Sequence, residues 1–495
     1  MDAGATLERR LANFRAGLAA HARPDEPVRR PGGTVSAELA ERLAAATDGE
    51  VVTTKRGSYV RREPPALDLP IDRARLARLP GQPPPDAPLL CLDTETTGLA
   101  TAAGTLAFLV GLGWWEGSSF RQRQLLLPDH PDEPALLEEL ADHLPRDAWL
   151  VTYNGRSFDW PLIVARFRLA RQGPPPLAGH LDLLPLVRRV FRHRMTNARL
   201  QTVEASVLGR PRHDDVGGWE IPTRYLDFVR GGSAAALVEV VEHNEEDVRS
   251  LARLLVHVER GYGDRTVRRE APRGDLAGLA RAFARAGDLE VALDCLDDAL
   301  AAGETDVPRL PAPVTNDPEA ETWWSPRRRP DFGGRGRGRL PGANPRLEEL
   351  ADPWTTQRIG RERAHVLRRL GRYEEASEAF AEVALGGGVP GIVAWIEVAK
   401  LREHRLHDPA GAFAAVRAAW RLAERRRALG MAVPRLEADL LRRGRRLRAR
   451  LAPRPRGGGG NVPRDVVPAG APNGAAHAGL VARGTLVVEP RDGRG

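Results

Sequence analysis

The stretch Leu89-Leu-Cys-Leu-Asp-Thr-Glu-Thr-Thr97 decides the fold. Its apolar first half follows the Pro-rich run 80–86 and predicts a buried strand. Alternation along a strand places residues i and i+2 on one face, so the carboxylates of Asp93 and Glu95 point the same way. Two carboxylates this close repel each other unless divalent cations lie between them. The pair therefore indicates a metal site or, as the simpler alternative, a solvated strand end.

The residues after this strand predict a mixed α/β sheet. Two further strands, 107–115 and 119–127, are separated by Glu116-Gly117 in the manner of a hairpin and complete a three-stranded meander. Helix and strand then alternate, with helix 133–143, strand 149–153, a helix from about 158, strand 180–184 and a long helix 233–260. This alternation is typical of a mixed sheet flanked by helices.

A third carboxylate follows the strand 149–153. In Asn154-Gly-Arg-Ser-Phe-Asp159 the final residue stands where a helix begins at Trp160-Pro161. Asp159 is thus either a helix cap that accepts a backbone N–H or a further metal ligand. We expect Asn154 and Phe158 to shape the site, because an aromatic ring offers a surface to a terminal base or sugar.

A fourth carboxylate lies in the long helix, within His243-Asn-Glu-Glu-Asp247. A separation of four residues places His243 and Asp247 on one face of a helix, one turn apart. One of them can then bind a metal ion while the other reaches water. The alternative is a solvated acidic helix surface with an uninvolved histidine.

Together these pieces resemble the DEDD exonuclease superfamily, whose motifs are Asp-x-Glu, Asn-x-x-x-Phe/Tyr-Asp and an aromatic residue or His shortly before a last Asp. Over residues 85–258 the chain more closely resembles the YprB-type ribonuclease H-like family. The segments that carry this resemblance are Asp93-Thr-Glu-Thr-Thr-Gly98, Tyr153-Asn-Gly-Arg-Ser-Phe-Asp-Trp-Pro-Leu162, His180-Leu-Asp-Leu-Leu184, Arg199-Leu-Gln-Thr-Val-Glu204, Asp215-Val-Gly-Gly218 and His243-Asn-Glu-Glu-Asp247.

The resemblance implies a ribonuclease H-like fold and a 3′–5′ exonuclease that uses two Mg²⁺ or Mn²⁺ ions. Asp93 would bridge the two ions, Glu95 and Asp247 would hold the ion that binds the attacking water, and Asp159 would support the second. His243 would orient or deprotonate that water. The chain departs from the superfamily pattern here, because His243 stands four residues before Asp247, where the superfamily has Tyr, and its His stands five before.

Three other aspartates near these motifs are not expected to bind metal. Asp182 ends a predicted strand, and Asp214 and Asp215 lie in an irregular loop, 210–221, where a turn or a salt bridge is the expected role.

Beyond residue 270 the pattern becomes helical. Helices 275–286 and 289–301, a second pair within 361–384 and a looser third within 394–423 resemble tetratricopeptide-like repeats. The positions predicted to stack in the first pair are Leu276, Leu279, Ala280, Phe283, Ala292, Leu296 and Ala299. Stacked helix pairs provide concave surfaces that can bind a protein partner.

These patterns predict the domain organisation. An N-terminal region, 1–84, contains a predicted helix, 6–22, then a short helix and a polar hairpin, Glu50 to Glu63, and the sequence gives it no role. The exonuclease domain spans 85–262, and the helical repeats span 270–302 and 346–450. An Arg/Gly/Pro-rich insert, 303–345, and a tail, 451–495, are predicted to be disordered. Within the insert, Arg327–Arg339 either adds non-specific nucleic-acid affinity or is a solvated linker.

Composition limits the class of protein. A chain of 495 residues is too long for one ordinary core, and its 50 Gly and 41 Pro are unevenly spread. Two cysteines, Cys91 and Cys295, suggest neither a disulfide framework nor a zinc cluster. No apolar run approaches the roughly 18 to 20 residues of a membrane span, so a cytoplasmic protein without a membrane partner is expected. The net charge of +8 favours DNA or RNA as partner, although biased arginine usage explains it equally well.

The function predicted from these features is metal-dependent hydrolysis of phosphodiester bonds from a 3′ end. The alternative is a weak or inactive nucleic-acid-binding or scaffold protein that acts through its helical repeats. Four intact carboxylates favour the enzyme, because folding gains nothing from an acidic cluster that repels itself.

Overall fold

A mixed sheet lies at the centre of the fold. The computed structural model describes residues 34–98, 104–212, 216–302 and 356–452, and within these ranges the sheet has eight strands. They are β1 (Glu50–Thr54), β2 (Gly57–Arg62), β3 (Leu67–Asp68), β4 (Leu89–Thr96), β5 (Ala107–Glu116), β6 (Ser119–Leu126), β7 (Trp149–Thr152) and β8 (Gly179–Asp182). Their order is β1-β2-β6-β5-β4-β7-β8, with β3 beside β6. Strand β4 is antiparallel to β5 and parallel to β7, so the predicted mixed sheet is confirmed.

Helices flank this sheet, as predicted. They are α1 (Thr34–Thr47), α2 (Arg73–Leu76), α3 (Glu133–Asp142), α4 (Asp159–Leu169), α5 (Leu183–Val190), α6 (Leu200–Val203), α7 (Ile221–Val229) and α8 (Val238–Tyr262). One prediction was wrong in its bounds: the strand expected to reach residue 184 ends at Asp182. The Asp182 side chain accepts a hydrogen bond from the Leu184 backbone N–H, which caps α5 and turns Leu183 and Leu184 into its first residues.

The N-terminal hairpin is part of the same sheet. Strands β1 and β2 form the hairpin predicted from residue 50 onward, and β2 pairs with β6 through Val60 opposite Leu126. The sheet therefore extends beyond the boundary expected at residue 85. The predicted helix 6–22 lies outside the described residues.

Apolar side chains fill two cores, one on each side of the sheet. In β4, Leu89 and Cys91 belong to one core and Leu90 and Leu92 to the other. This strand is buried on both faces, which explains why its first half is a continuous apolar run. The core that contains Leu89 continues without interruption into the helical region.

The described residues beyond 270 are helical, as predicted. The chain continues through α9 (Arg265–Arg268), α10 (Arg273–Ala286), α11 (Leu289–Ala301), α12 (Thr356–Arg369), α13 (Tyr373–Leu385), α14 (Gly388–His404), α15 (Pro409–Ala428) and α16 (Pro434–Leu451). Gly287 and Gly371 adopt φ values of +102° and +79° where α10 and α12 end, a conformation that favours glycine. All seven stacking positions named above are buried.

Three further findings bear on the organisation of the chain. The predicted insert and nearly all of the tail lie outside the described residues. Both cysteines are buried and unpaired. Within the described ranges, no helix combines the length and the apolar character needed to cross a membrane.

A buried carboxylate joins the helical region to the sheet domain. Asp275, in the first turn of α10, is fully buried and accepts hydrogen bonds from Arg194 Nε at 3.0 Å and Tyr262 Oη at 2.6 Å. His193 Nε2 lies 3.2 Å from the same carboxylate. Burial raises the pKa of Asp275 to about 6, although Arg194 and Tyr262 act to lower it. Helix α10 is therefore held to the segment after α5 by charge-assisted hydrogen bonds.

Helix α10 also lies very close to α5. A Cβ atom at Gly278 would stand 2.5 Å from the carbonyl oxygen of Arg189 and 2.7 Å from Cα of Val190, both backbone atoms that cannot move aside. We expect Gly278→Ala to lower the free energy of unfolding by about 1–3 kcal/mol, measured by chemical denaturation.

The matched control is Gly261→Ala, in the last turn of α8. No described atom outside its own helical turn lies within 4 Å of that Cβ, and alanine favours a helix over glycine by about 1 kcal/mol. This variant should be as stable as the native chain or more so. Equal losses in the two variants would contradict the close packing of α10 on α5.

Candidate active site

Two predicted ligands lie together at one edge of the sheet. Asp93 and Glu95 lie on β4, opposite Gly111 and Leu109 of β5. Their parallel neighbour β7 ends at Thr152, and the chain then turns into α4, whose first residue is Asp159. Because parallel strands end at the same edge, Asp159 meets the β4 carboxylates. The Thr94 hydroxyl joins the two elements by donating a hydrogen bond to Asp159 Oδ1 at 2.5 Å.

The turn before α4 is held by Asp182 from the adjacent strand. Asn154 adopts a left-handed conformation with φ of +67°, which asparagine tolerates better than most residues. Its backbone N–H donates to Asp182 Oδ1 at 2.8 Å, the same oxygen that accepts from Leu184 N at 3.0 Å. Asp182 therefore has a structural role, because it holds this turn and caps α5. Asp214 and Asp215 lie outside the described residues.

Helix α8 supplies the fourth carboxylate. A Cβ atom at Gly111 would stand 2.3 Å from Asn244 Oδ1, so the helix can lie this close only because β5 has no side chain there. Asn244, one residue after His243, donates from Nδ2 to Asp93 Oδ2 at 2.9 Å. Its own Oδ1 accepts from Gln124 at 3.0 Å, which orients the amide.

His243 and Asp247 face the β4 carboxylates. His243 Nε2 lies 3.7 Å from Glu95 Oε1 and 3.7 Å from Asp247 Oδ2. Burial raises the pKa of Asp93 well above its usual range, and the nearby charges of Asp247, Asp159 and Glu95 raise it further, while the hydrogen bond from Asn244 lowers it. Burial also raises the pKa of Asp159, against the hydrogen bond from Thr94. The structure thus brings the four predicted carboxylates into one electrostatic cluster.

The two residues predicted to shape the substrate site lie beside Asp159. The Phe158 side chain is 43% exposed, which is high for a large apolar residue. Asn154 is half-buried and is held through its backbone by Asp182. Their contact with a substrate stays a prediction.

Sequence reasoning missed Arg212 and Glu204. Glu204 begins a π-helical turn, Glu204–Leu208, that follows α6, and its side chain is buried. The Arg212 guanidinium hydrogen-bonds both Glu204 and Asp247, and its Nη1 lies 3.4 Å from His243 Nδ1. The sequence held one indication of Glu204, because an acidic residue there begins an otherwise apolar or small-residue turn, Glu204–Leu208. Nothing in the spacing linked that acid to residue 212.

The chemical type of the four side chains, all carboxylates, suits a hard divalent ion. Carboxylate oxygens are the ligands that Mg²⁺ and Mn²⁺ prefer. Among the residues that the structure describes, however, no three or more His, Cys, Asp or Glu side chains are arranged as a ready-made ion site. Instead, hydrogen-bond donors hold the carboxylates, with Asn244 on Asp93, Thr94 on Asp159 and Arg212 on Asp247.

Comparison with known proteins fits this geometry. Residues 90–259 match the RNase_H_2 family of the RNase_H superfamily. These residues form a ribonuclease H-like domain. Over 172 residues the chain is 39% identical to a Bacillus subtilis (strain 168) protein named "Uncharacterized protein YprB". The match covers 34% of this chain and 41% of that protein, so the chain spans well under half the length of this relative. The ribonuclease H-like fold predicted from the sequence is thereby confirmed.

Asp182 offers a test of how the site is supported. Asp182→Ala should lower the free energy of unfolding by about 1–2 kcal/mol, because α5 loses its cap and the turn at Asn154 loses its acceptor. Asp182→Asn should keep most of that stability, since asparagine caps helices about as well as aspartate. Chemical denaturation of both variants measures the difference. Equal losses would indicate that the charge at residue 182 matters, and not its role as acceptor.

Proposed function

We propose that the ribonuclease H-like domain is a metal-dependent nuclease that hydrolyses phosphodiester bonds of DNA or RNA from the 3′ end, with two Mg²⁺ or Mn²⁺ ions. The observation that carries this proposal is the convergence of Asp93, Glu95, Asp159 and Asp247 at one sheet edge. Their repulsion contributes to the raised pKa of Asp93, so the arrangement costs stability in the absence of cations. A function that requires cations there accounts for that cost.

The side chains have distinct roles in this reaction. Ions held by the four carboxylates would supply positive charge near the attacking and leaving oxygens. His243 presents Nε2 between Glu95 and Asp247, where it would orient the attacking water or take a proton from it. The exposed ring of Phe158 would stack on the terminal base or sugar.

The helical region supports a second role. Helices α10 and α11 bury the seven apolar positions predicted to stack, and stacked helix pairs provide concave faces that can bind protein partners. A chain that binds nucleic acid through this assembly and does not cut it is the alternative function. An activity assay separates the two.

Asp93→Asn tests the metal-site assignment. The substrates are 5′-labelled DNA and RNA oligonucleotides, incubated with Mg²⁺, Mn²⁺ or EDTA. The native chain should shorten them from the 3′ end unless EDTA is present, and a block at the 3′ terminus should stop it. Asp93→Asn should abolish hydrolysis, while thermal melting should not fall, because the variant removes a charge that burial and its neighbours disfavour.

The control for this variant is Asp147→Asn, which changes an exposed aspartate of the same domain. It should leave hydrolysis unchanged. Near-normal turnover by Asp93→Asn would show that the metal-site assignment is wrong. Binding without hydrolysis by the native chain would favour the alternative function.

His243→Ala tests the role of the imidazole. Loss of a group that serves the attacking water should lower turnover by roughly 10² to 10⁴, with substrate affinity little changed. Single-turnover rates at saturating substrate measure this effect. The control is His404→Ala on α14, where the histidine is half-exposed and far along the chain from the site. A decrease below about threefold, far under the roughly 10² expected for a lost general base, would show that His243 does not serve the attacking water.

A further inference from the structure

Arg212 and Glu204 form a buried ion pair that contacts Asp247, one of the four predicted carboxylates. The Glu204 side chain is 1% exposed and that of Arg212 is 11% exposed. One guanidinium hydrogen-bonds both Glu204 and Asp247, so it joins the candidate site to an acid outside the predicted set. Burial alone would lower the pKa of Arg212, but the carboxylates of Asp247 and Glu204 raise it, which keeps the guanidinium charged.

The backbone brings Arg212 to this position. The π-helical turn Glu204–Leu208 is followed by Gly209, which adopts a φ of +66°. The backbone N–H of Arg210 then donates to the Glu204 carbonyl at 2.8 Å and reverses the chain. Two residues later the Arg212 side chain lies over Glu204. Turns of the π type are frequent at functional sites.

We propose that Arg212 is a positioning residue that fixes Asp247 for ion binding, with Glu204 offsetting its charge. This rests on the proposed function, because the ions concerned are those held by Asp93, Glu95, Asp159 and Asp247.

The contact with Arg212 fixes the orientation of the Asp247 carboxylate. Arg212 binds Asp247 through Oδ1, while Oδ2 lies toward His243 at 3.7 Å. One oxygen of the carboxylate is therefore fixed and the other faces the cluster. Both carboxylates accept from the same guanidinium nitrogen, Nη2, whose two hydrogens are fixed in the plane of the guanidinium. Loss of a group that orients a metal ligand typically weakens metal affinity by about 10- to 100-fold.

Glu204 balances the positive charge that Arg212 brings to the candidate site. A lone guanidinium beside Asp247 would repel an incoming cation, since both are positive. Glu204 cancels that charge because it shares the same guanidinium and is itself buried. Among the described side chains, four carboxylates are then left to match two divalent ions. The ion pair fixes Asp247 without changing the net charge available for binding.

The decisive experiment is a charge-matched double variant of the full chain, Glu204→Gln with Arg212→Gln. It removes one negative and one positive charge, so neither position of the buried pair keeps an unpaired ion. It also removes the hydrogen bond from Arg212 to Asp247. Mn²⁺ affinity is measured by isothermal titration and by the electron paramagnetic resonance signal of free Mn²⁺, without substrate. The dissociation constant should rise by about tenfold or more, while metal-free thermal melting stays close to that of the native chain.

A second variant keeps the test valid if the double variant unfolds. Arg212→Lys retains the positive charge but replaces the planar guanidinium, whose Nη2 holds both carboxylates, with a compact ammonium on a flexible chain. It should also bind Mn²⁺ more weakly than the native chain. Native-like affinity in this variant would count against positioning in the same way as in the double variant.

The remaining outcomes each decide the question. Unchanged Mn²⁺ affinity in the double variant would mean that Arg212 merely neutralises Glu204, and tighter binding would mean that the guanidinium competes with the ion. Either result overturns the inference. Asp93→Asn is the reference for the proposed function itself. If it binds Mn²⁺ as the native chain does, the metal site is wrong, whereas loss of binding in Asp93→Asn with no effect in the double variant rejects only the role of Arg212.

Discussion

The close approach of helix α8 to strand β5 determines where the groups at the candidate site lie. A side chain at Gly111 would overlap Asn244, and Gly111 is the residue that pairs with Asp93 across the sheet. The same contact therefore sets the depth of the helix and brings the Asn244 amide within 2.9 Å of Asp93. Because His243 and Asp247 are on this helix, a wider spacing would withdraw both from the β4 carboxylates. One missing side chain thus positions groups from two elements that are far apart in sequence.

The fold can contain the acidic cluster because hydrogen-bond donors from separate elements stabilise its carboxylates. Thr94 donates to Asp159 from β4, Asn244 donates to Asp93 from α8, and Arg212 donates to Asp247 from the segment after the π-helical turn. Hydrogen bonds to an ionised carboxylate are stronger than those between neutral groups and offset part of the repulsion. The four carboxylates can therefore lie near one another within the folded domain.

Local patterns in the sequence predicted much of the fold, and contacts between distant segments account for the rest. Alternation along β4 and helical spacing in α8 depend only on neighbouring residues, so the strand with Asp93 and the pair formed by His243 and Asp247 could be foreseen. The apolar Leu183 and Leu184 fit a strand or a helix equally well, and the cap from Asp182 decides between them. The pairing of β2 with β6 and the contact of Arg212 with Asp247 join segments with no shared periodicity. Rules based on the spacing of residues within a helix or strand cannot predict such contacts.

We expect the junction at Asp275 to make the first helical pair fold cooperatively with the sheet domain. The core beneath the sheet runs on into α10 and α11, and Arg194 donates to a carboxylate that belongs to α10. A chain cut after residue 262 would remove that carboxylate, leave Arg194 without it in a largely buried position, and uncover the apolar side of α5. A domain boundary drawn from sequence motifs alone would separate residues that depend on each other for folding. The helical region that begins with α10 is structurally continuous with the ribonuclease H-like domain.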